Sequence, residues 1–193
     1  MIAEALDEVA LTVRAGALGV VLREIGEANA ARGTERLALH LLLHGPMGAG
    51  KTTFTRALAR GLGVDEPGRV CSPTFTLCMV HSGPLTLVHV DLFRLADDND
   101  EGMGGAAGFD ALALEEIAEE QLQLGGGGSL GRVIVVEWAA KWSRPPAEHL
   151  AIRLAPVQRG LARSLHAAAQ GPGGAAVLAA WERRVAAAQG ALL

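Results

Sequence analysis

The chain has 193 residues, half of them hydrophobic and 20% charged, with a formal net charge of −4. That length supports one domain with its own core and no need of disulfides. The acidic balance excludes the basic footprint of a protein that grips RNA or DNA directly. The two cysteines, Cys71 and Cys78, lack a zinc-pair spacing and read as free thiols of a reducing compartment. The first ten residues carry no cationic leader, and no apolar run approaches the ~20 residues of a membrane span, so a cytoplasmic protein without membrane contact is expected.

In chain order, Val9 to Val13 (VALTV) reads as a short first strand. Arg14 to Ala30 follows as a helix, because Leu18, Val21, Leu22 and Ile25 recur at spacings of three and four. Gly33 stands where that helix ends. Leu37 to Gly45 (LALHLLLHG) is a near-continuous apolar run, the pattern of a buried parallel strand. Thr53 to Gly63 is helical. Ser72 to Val80 and Leu85 to Asp91 read as strands joined by a tight turn, which implies one antiparallel pair.

Asp110 to Leu124 is a predicted helix with Asp110 as N-cap, and Gly125 to Ser129 a flexible loop. Arg132 to Trp138 (RVIVVEW) is the strongest strand signal, with an acid at its end. His149 to Val157 is a further strand, and Gly173 to Gln189 an amphipathic C-terminal helix. Alternating strands and helices predict an α/β P-loop-like three-layer sandwich, its sheet mixed but mainly parallel and helices on both faces. The expected division is one domain over 1–170 and a helical extension over 171–193.

Gly45-Pro46-Met47-Gly48-Ala49-Gly50-Lys51-Thr52 satisfies G-x-x-x-x-G-K-[ST], between an apolar strand and a helix. Glycines let successive backbone N–H groups turn inward around a phosphate, and the helix dipole points its positive end there. Lys51 is set to reach the β and γ phosphates and Thr52 to ligate Mg²⁺. Lysine occurs in this chain only at 51 and 141, which makes its placement in the loop more telling. ATP and Mg²⁺ are therefore the expected ligands.

Such a loop needs an acid at the end of a neighbouring strand, since the carboxyl edge of an open α/β sheet is where ligands bind. Glu137 is assigned to the metal, directly or through water. Asp91 is assigned to orienting a metal-bound or attacking water. With Lys51 they form the expected catalytic set. Thr53 and Thr74 join the ATP-binding set, Thr74 as a contact of the Ser72–Thr76 (SPTFT) segment that could sense a γ-phosphate. Trp138 stands beside Glu137, where an indole either meets the base or packs at a strand end. His44 and His89 read as structural histidines. Arg94 reads equally as a partner of phosphate or Asp91 and as a surface residue.

The ordered set HGPMGAGKTTFTRALARGLGV, SPTFTL, HVDLFRL, LALEE and VVEW resembles the bacterial TsaE (YjeE) family, the ATPase of tRNA threonylcarbamoyladenosine biosynthesis. The likeness runs from about residue 14 to 142. It implies a small ATPase that binds the TsaB–TsaD pair and resets that assembly between rounds of threonylcarbamoyl transfer to tRNA, without strong tRNA binding of its own. The family's loop lysine and threonine fall on Lys51 and Thr52, its acids on Asp91 and Glu137, and its tryptophan on Trp138. Ala15 stands where the family has a threonine, Phe93 where it has tyrosine, and Ala113 where it has glycine. The family's C-terminal arginine near the nucleotide fits Arg159 or Arg163, and Arg163 is counted in the expected ATP-binding set. The competing readings are a small-molecule kinase and a nucleotide-gated binding module without useful turnover. Against the first, residues 97–110 are acidic and glycine-rich with no arginine for a lid.

Overall fold

The computed structural model describes residues 3–94, 130–142, 144–157 and 162–190. The helix expected over 110–124, the loop over 125–129, Ala113 and Arg159 lie outside the described residues. Among the described residues seven strands form one sheet: β1 (Ala3–Leu6), β2 (Leu37–His44), β3 (Cys78–His81), β4 (Leu85–Asp91), β5 (Gly131–Glu137), β6 (His149–Pro156) and β7 (Arg163–Gln170). Their spatial order is β1-β7-β6-β2-β5-β4-β3. The four central strands β6, β2, β5 and β4 run parallel, β3 pairs antiparallel with β4 at one edge, and at the other β7 pairs antiparallel with β6 and β1 antiparallel with β7. The fold is α/β with this mixed sheet at its centre.

Among the described residues three α-helices, α1 (Glu8–Arg32), α2 (Lys51–Leu62) and α3 (Gly171–Gly190), pack on one sheet face. Leu18, Leu22, Phe54, Leu58 and Trp181 meet Leu41, Leu43, Leu87, Val135 and Ile152 there, all fully or nearly fully buried. The opposite face carries a second apolar cluster of Leu42, Val88, Val90, Ile134 and Val136, closed in part by Ala139 and Trp142.

The expected strand at Val9–Val13 instead lies within the first two turns of α1. Asp7 caps that helix, its Oδ1 accepting from the Ala10 N–H at 2.7 Å. Leu11, Ala15 and Leu18 continue the buried stripe, while the β-branched Val9 and Val13 face solvent at 71% and 61% exposure. A cap and a helical apolar period outweigh local β propensity. α1 and α2 then approach closely at small residues. A Cβ on Gly19 would lie 2.3 Å from the Leu58 carbonyl oxygen, and one on Gly61 2.2 Å from that of Gly16.

The strand expected from Ser72 begins only at Cys78. Before it the Leu77 N–H donates to the Pro73 carbonyl at 2.7 Å and Leu77 takes φ 62, closing a turn. β1 and β7 were not anticipated: AEAL and RSLHAAAQ are alanine-rich, and β propensity there is weak. α3 follows β7 directly and docks on the core. Trp181 is fully buried, stands edge-on to Phe54, and donates its indole N–H to the Arg14 carbonyl at 3.0 Å. Among the described residues no helix is long and apolar enough to cross a membrane.

Candidate active site at the carboxyl edge of the sheet

β2 ends at His44, and Gly45 to Gly50 turn the chain into α2. The turn needs glycine: Gly45, Gly48 and Gly50 have φ of 148, 74 and 98°, and a Cβ on Gly45 would lie 2.2 Å from the Leu154 carbonyl oxygen. No side chain caps α2, and its first turn holds no acid. Its leading amides are therefore left to whatever lies in the loop, which is how a helix start receives an anion.

Lys51, only 5% exposed, donates from Nζ to the carbonyls of Gly45 at 2.8 Å and Pro46 at 2.9 Å. The Trp138 ring covers the same ammonium at 3.8 Å from its centroid. Burial pushes the Lys51 pKa below the usual lysine value, offset in part by Glu137 and then Asp91. Trp138 holds its position through a left-handed backbone, φ 59, and its ring meets Phe93 at 5.0 Å.

Register pairs Asp91 with Glu137 at the ends of adjacent parallel strands. Both side chains are 2% exposed. Thr52 Oγ1 donates to Glu137 Oε2 at 3.0 Å. Glu137 Oε1 lies 2.8 Å from His89 Nε2 and 3.5 Å from Thr55 Oγ1. Asp91 Oδ2 accepts from the hydroxyls of Ser72 and, at 2.9 Å, Thr74, and its Oδ1 accepts from the Phe93 N–H at 2.8 Å. The two carboxylates are thus held by different donor sets, one under the loop threonine and one under the Ser72–Thr74 turn.

A cleft of about 370 Å³ joins these groups. Met47 to Thr53, Ser72, Thr74, Asp91, Phe93, Glu137 and Trp138 line it. Gly45 and Pro46 contribute through the carbonyls that hold Lys51. Arg163, at the start of β7, reaches the loop from the other side, its Nη2 donating to the Gly48 carbonyl at 3.3 Å. Arg94 lies instead against the exposed ring of Phe75, at 5.0 Å from its centroid. His44 has a lowered pKa through burial and the charges of Arg153 and His149. Ala15 is buried inside α1.

Sequence reasoning missed the part of Ser72 and Thr55, and read His89 as structural without its partner. A signal existed for His89: it stands two residues before Asp91 on the same strand, so both side chains leave the same sheet face. Among the described residues no group of three or more His, Cys, Asp or Glu side chains forms a cation cage. The oxygen pair Thr52–Glu137 suits Mg²⁺, a hard cation that takes one or two protein ligands and completes its shell with water and phosphate.

The family model described as "Threonylcarbamoyl adenosine biosynthesis protein TsaE" matches residues 16–165. The tRNA threonylcarbamoyladenosine biosynthesis protein TsaE of Mycobacterium leprae is 37% identical over 120 residues, 59% of this chain and 65% of that one. Its namesake in Treponema pallidum is 50% identical over 60 residues, 31% and 43% of the two chains. That of Bacillus subtilis is 45% identical over 100 residues, 51% and 49%. The matched stretch thus spans under two thirds of each of these relatives. Among solved structures, YdiB of Bacillus subtilis superposes with a TM-score of 0.57 at 21% identity, over 95% of this chain and 97% of that one, a likeness of fold.

Proposed function

Because the chain belongs to the TsaE family, we propose that it is a Mg²⁺-dependent ATPase serving threonylcarbamoyladenosine formation on tRNA. The observation that carries the reading is the meeting of a glycine loop, an uncapped helix start, a buried lysine and the Thr52–Glu137 pair at one sheet edge. The backbone amides of Gly48 to Thr53 and the Lys51 ammonium receive the phosphates of ATP. Partial burial strengthens that attraction, because less water screens it. Thr52 and Glu137 hold the Mg²⁺, which when bound neutralises charge on the β and γ phosphates.

Asp91, fixed by three donors, orients the water that attacks the γ-phosphorus, with ADP and inorganic phosphate as products. Thr74 shares Asp91's oxygen and reports the state of the γ-phosphate to the Ser72–Thr76 segment. Trp138 and Arg163 border the nucleotide on either side of the loop. Hydrolysis resets a protein assembly, the TsaB–TsaD pair, and the acidic chain leaves tRNA binding to those partners. The site of action is the cytoplasm.

The test is the rate of phosphate release with and without purified TsaB–TsaD. Mg²⁺-dependent turnover that rises with the partners, and co-elution in ATP, is the expected result. The absence of both stimulation and co-elution defeats the partner assignment, and transfer of phosphate to a small acceptor favours a kinase.

A further inference from the structure

We infer that His89 is a positioning residue for Glu137: its imidazole takes one carboxylate oxygen from the inside, so that the other alone faces Thr52 and the cleft. The inference rests on the reading of Glu137 as the Mg²⁺ ligand and adds a residue to it.

His89 is fully buried on β4. Its Nε2 lies 2.8 Å from Glu137 Oε1, and its Nδ1 is buried with no hydrogen-bond partner among the described residues. A carboxylate only accepts, so the ring proton belongs on Nε2. A bare Nδ1 lone pair is also less costly to bury than an unpaired N–H. His89 is therefore a donor aimed at a single oxygen. A histidine kept only to fill the core has no need to end on the acid of a phosphate site.

The geometry explains what that donor does. The terminal torsion of a glutamate is broad and roughly two-fold, so packing alone does not choose which oxygen faces out. Glu137 has His89 and Thr55 beside Oε1 and Thr52 at Oε2. Oε1 is anchored by β4 and α2, and Oε2 is presented to the loop. One strand supplies both services, Asp91 at its end and His89 one step behind on the same face. Donors behind a metal-binding side chain set its orientation and typically matter by 10–100-fold in metal affinity or activity.

The experiment compares the full chain with His89→Leu, which removes the donor, and His89→Gln, which restores one at similar reach. ATP turnover at saturating Mg²⁺ is measured beside ATP affinity in Mg²⁺ and in EDTA. In His89→Leu, kcat falls by about 10–100-fold, KM changes little, and the affinity gained from Mg²⁺ shrinks, while affinity in EDTA stays that of the unaltered chain. His89→Gln recovers most of both losses. A long-range ¹H–¹⁵N spectrum of the ligand-free chain shows His89 as the Nε2–H tautomer.

Turnover and Mg²⁺ gain unchanged in His89→Leu, an equal loss in His89→Gln, or an Nδ1–H tautomer each overturns the inference while leaving the ATPase reading intact. Should His89→Leu not fold, the Gln variant and the spectrum still decide. An unaltered chain without Mg²⁺-dependent ATP binding or turnover overturns the ATPase reading, and this inference with it.

Discussion

Thr52 Oγ1 donates to Glu137 Oε2 at 3.0 Å across 85 residues of chain. The contact joins the first turn of α2 to the end of β5 and brings two oxygen donors of different elements to one point. Its geometry depends on β2 and β5 being parallel neighbours, with Leu43 beside Glu137 in register. The loop that follows β2 then opens directly above the acid that ends β5.

Lys51→Ala should lower phosphate release by roughly a hundredfold or more, by analogy with removal of one charge-stabilising donor. The fold should survive, because Lys51 caps two loop carbonyls and anchors no core contact. Phosphate release and the circular dichroism spectrum together check this. Undiminished release would remove the loop from the chemistry.

Glu137→Ala should reduce Mg²⁺-dependent turnover more than nucleotide affinity, since the loop amides and Lys51 remain. It should also cost stability. It strips His89 of its buried acceptor, and an unsatisfied buried donor costs about 1–3 kcal/mol. Single-turnover kinetics, nucleotide titration and a denaturant curve separate the effects. Equal losses in turnover and affinity would make Glu137 mainly a binding residue.

Gly19→Ala should destabilise the chain by roughly 1–3 kcal/mol, because the added Cβ meets the Leu58 backbone at 2.3 Å and the two helices must separate. Thermal unfolding reads this directly, at about 2–4 °C per kcal/mol for a domain of this size. A melting temperature unchanged from that of the unaltered chain would mean that α1 shifts without penalty.

Stability should fall as pH drops from about 6.5 towards 4. His40 has its pKa lowered to about 4, by burial first and then by the charges of Arg132 and His149. The unfolded chain binds a proton through that window and the folded chain does not, so acid favours unfolding. Unfolding midpoints at pH 7.5 and 4.5 should differ less in His40→Leu than in the unaltered chain. His44 and His81, also lowered by burial, leave a residual slope. An identical pH dependence in both chains would rule out the contribution of His40.

What was legible in the sequence was local. The loop carries its glycines, lysine and threonine at fixed offsets, the strand before it is an apolar run, and the strands read at Leu85–Asp91 and Arg132–Trp138 are apolar runs with Asp91 and Glu137 at their ends. Those patterns determine a phosphate-type turn and two acids at strand ends, wherever the strands finally lie. The C-terminal helix was also readable, from its apolar spacing. What only the tertiary structure decided depends on who neighbours whom. β7 is a strand because β6 offers it an edge, and β1 because β7 offers the next, not because alanine favours extension. Val9–Val13 is helix because Asp7 caps it and Leu11 and Ala15 find a core. The grips of His89 on Glu137, of Thr74 on Asp91 and of Trp138 on Lys51 join residues 48, 17 and 87 positions apart. Strand order and sheet register, not spacing along the chain, bring such side chains within hydrogen-bond or ring contact.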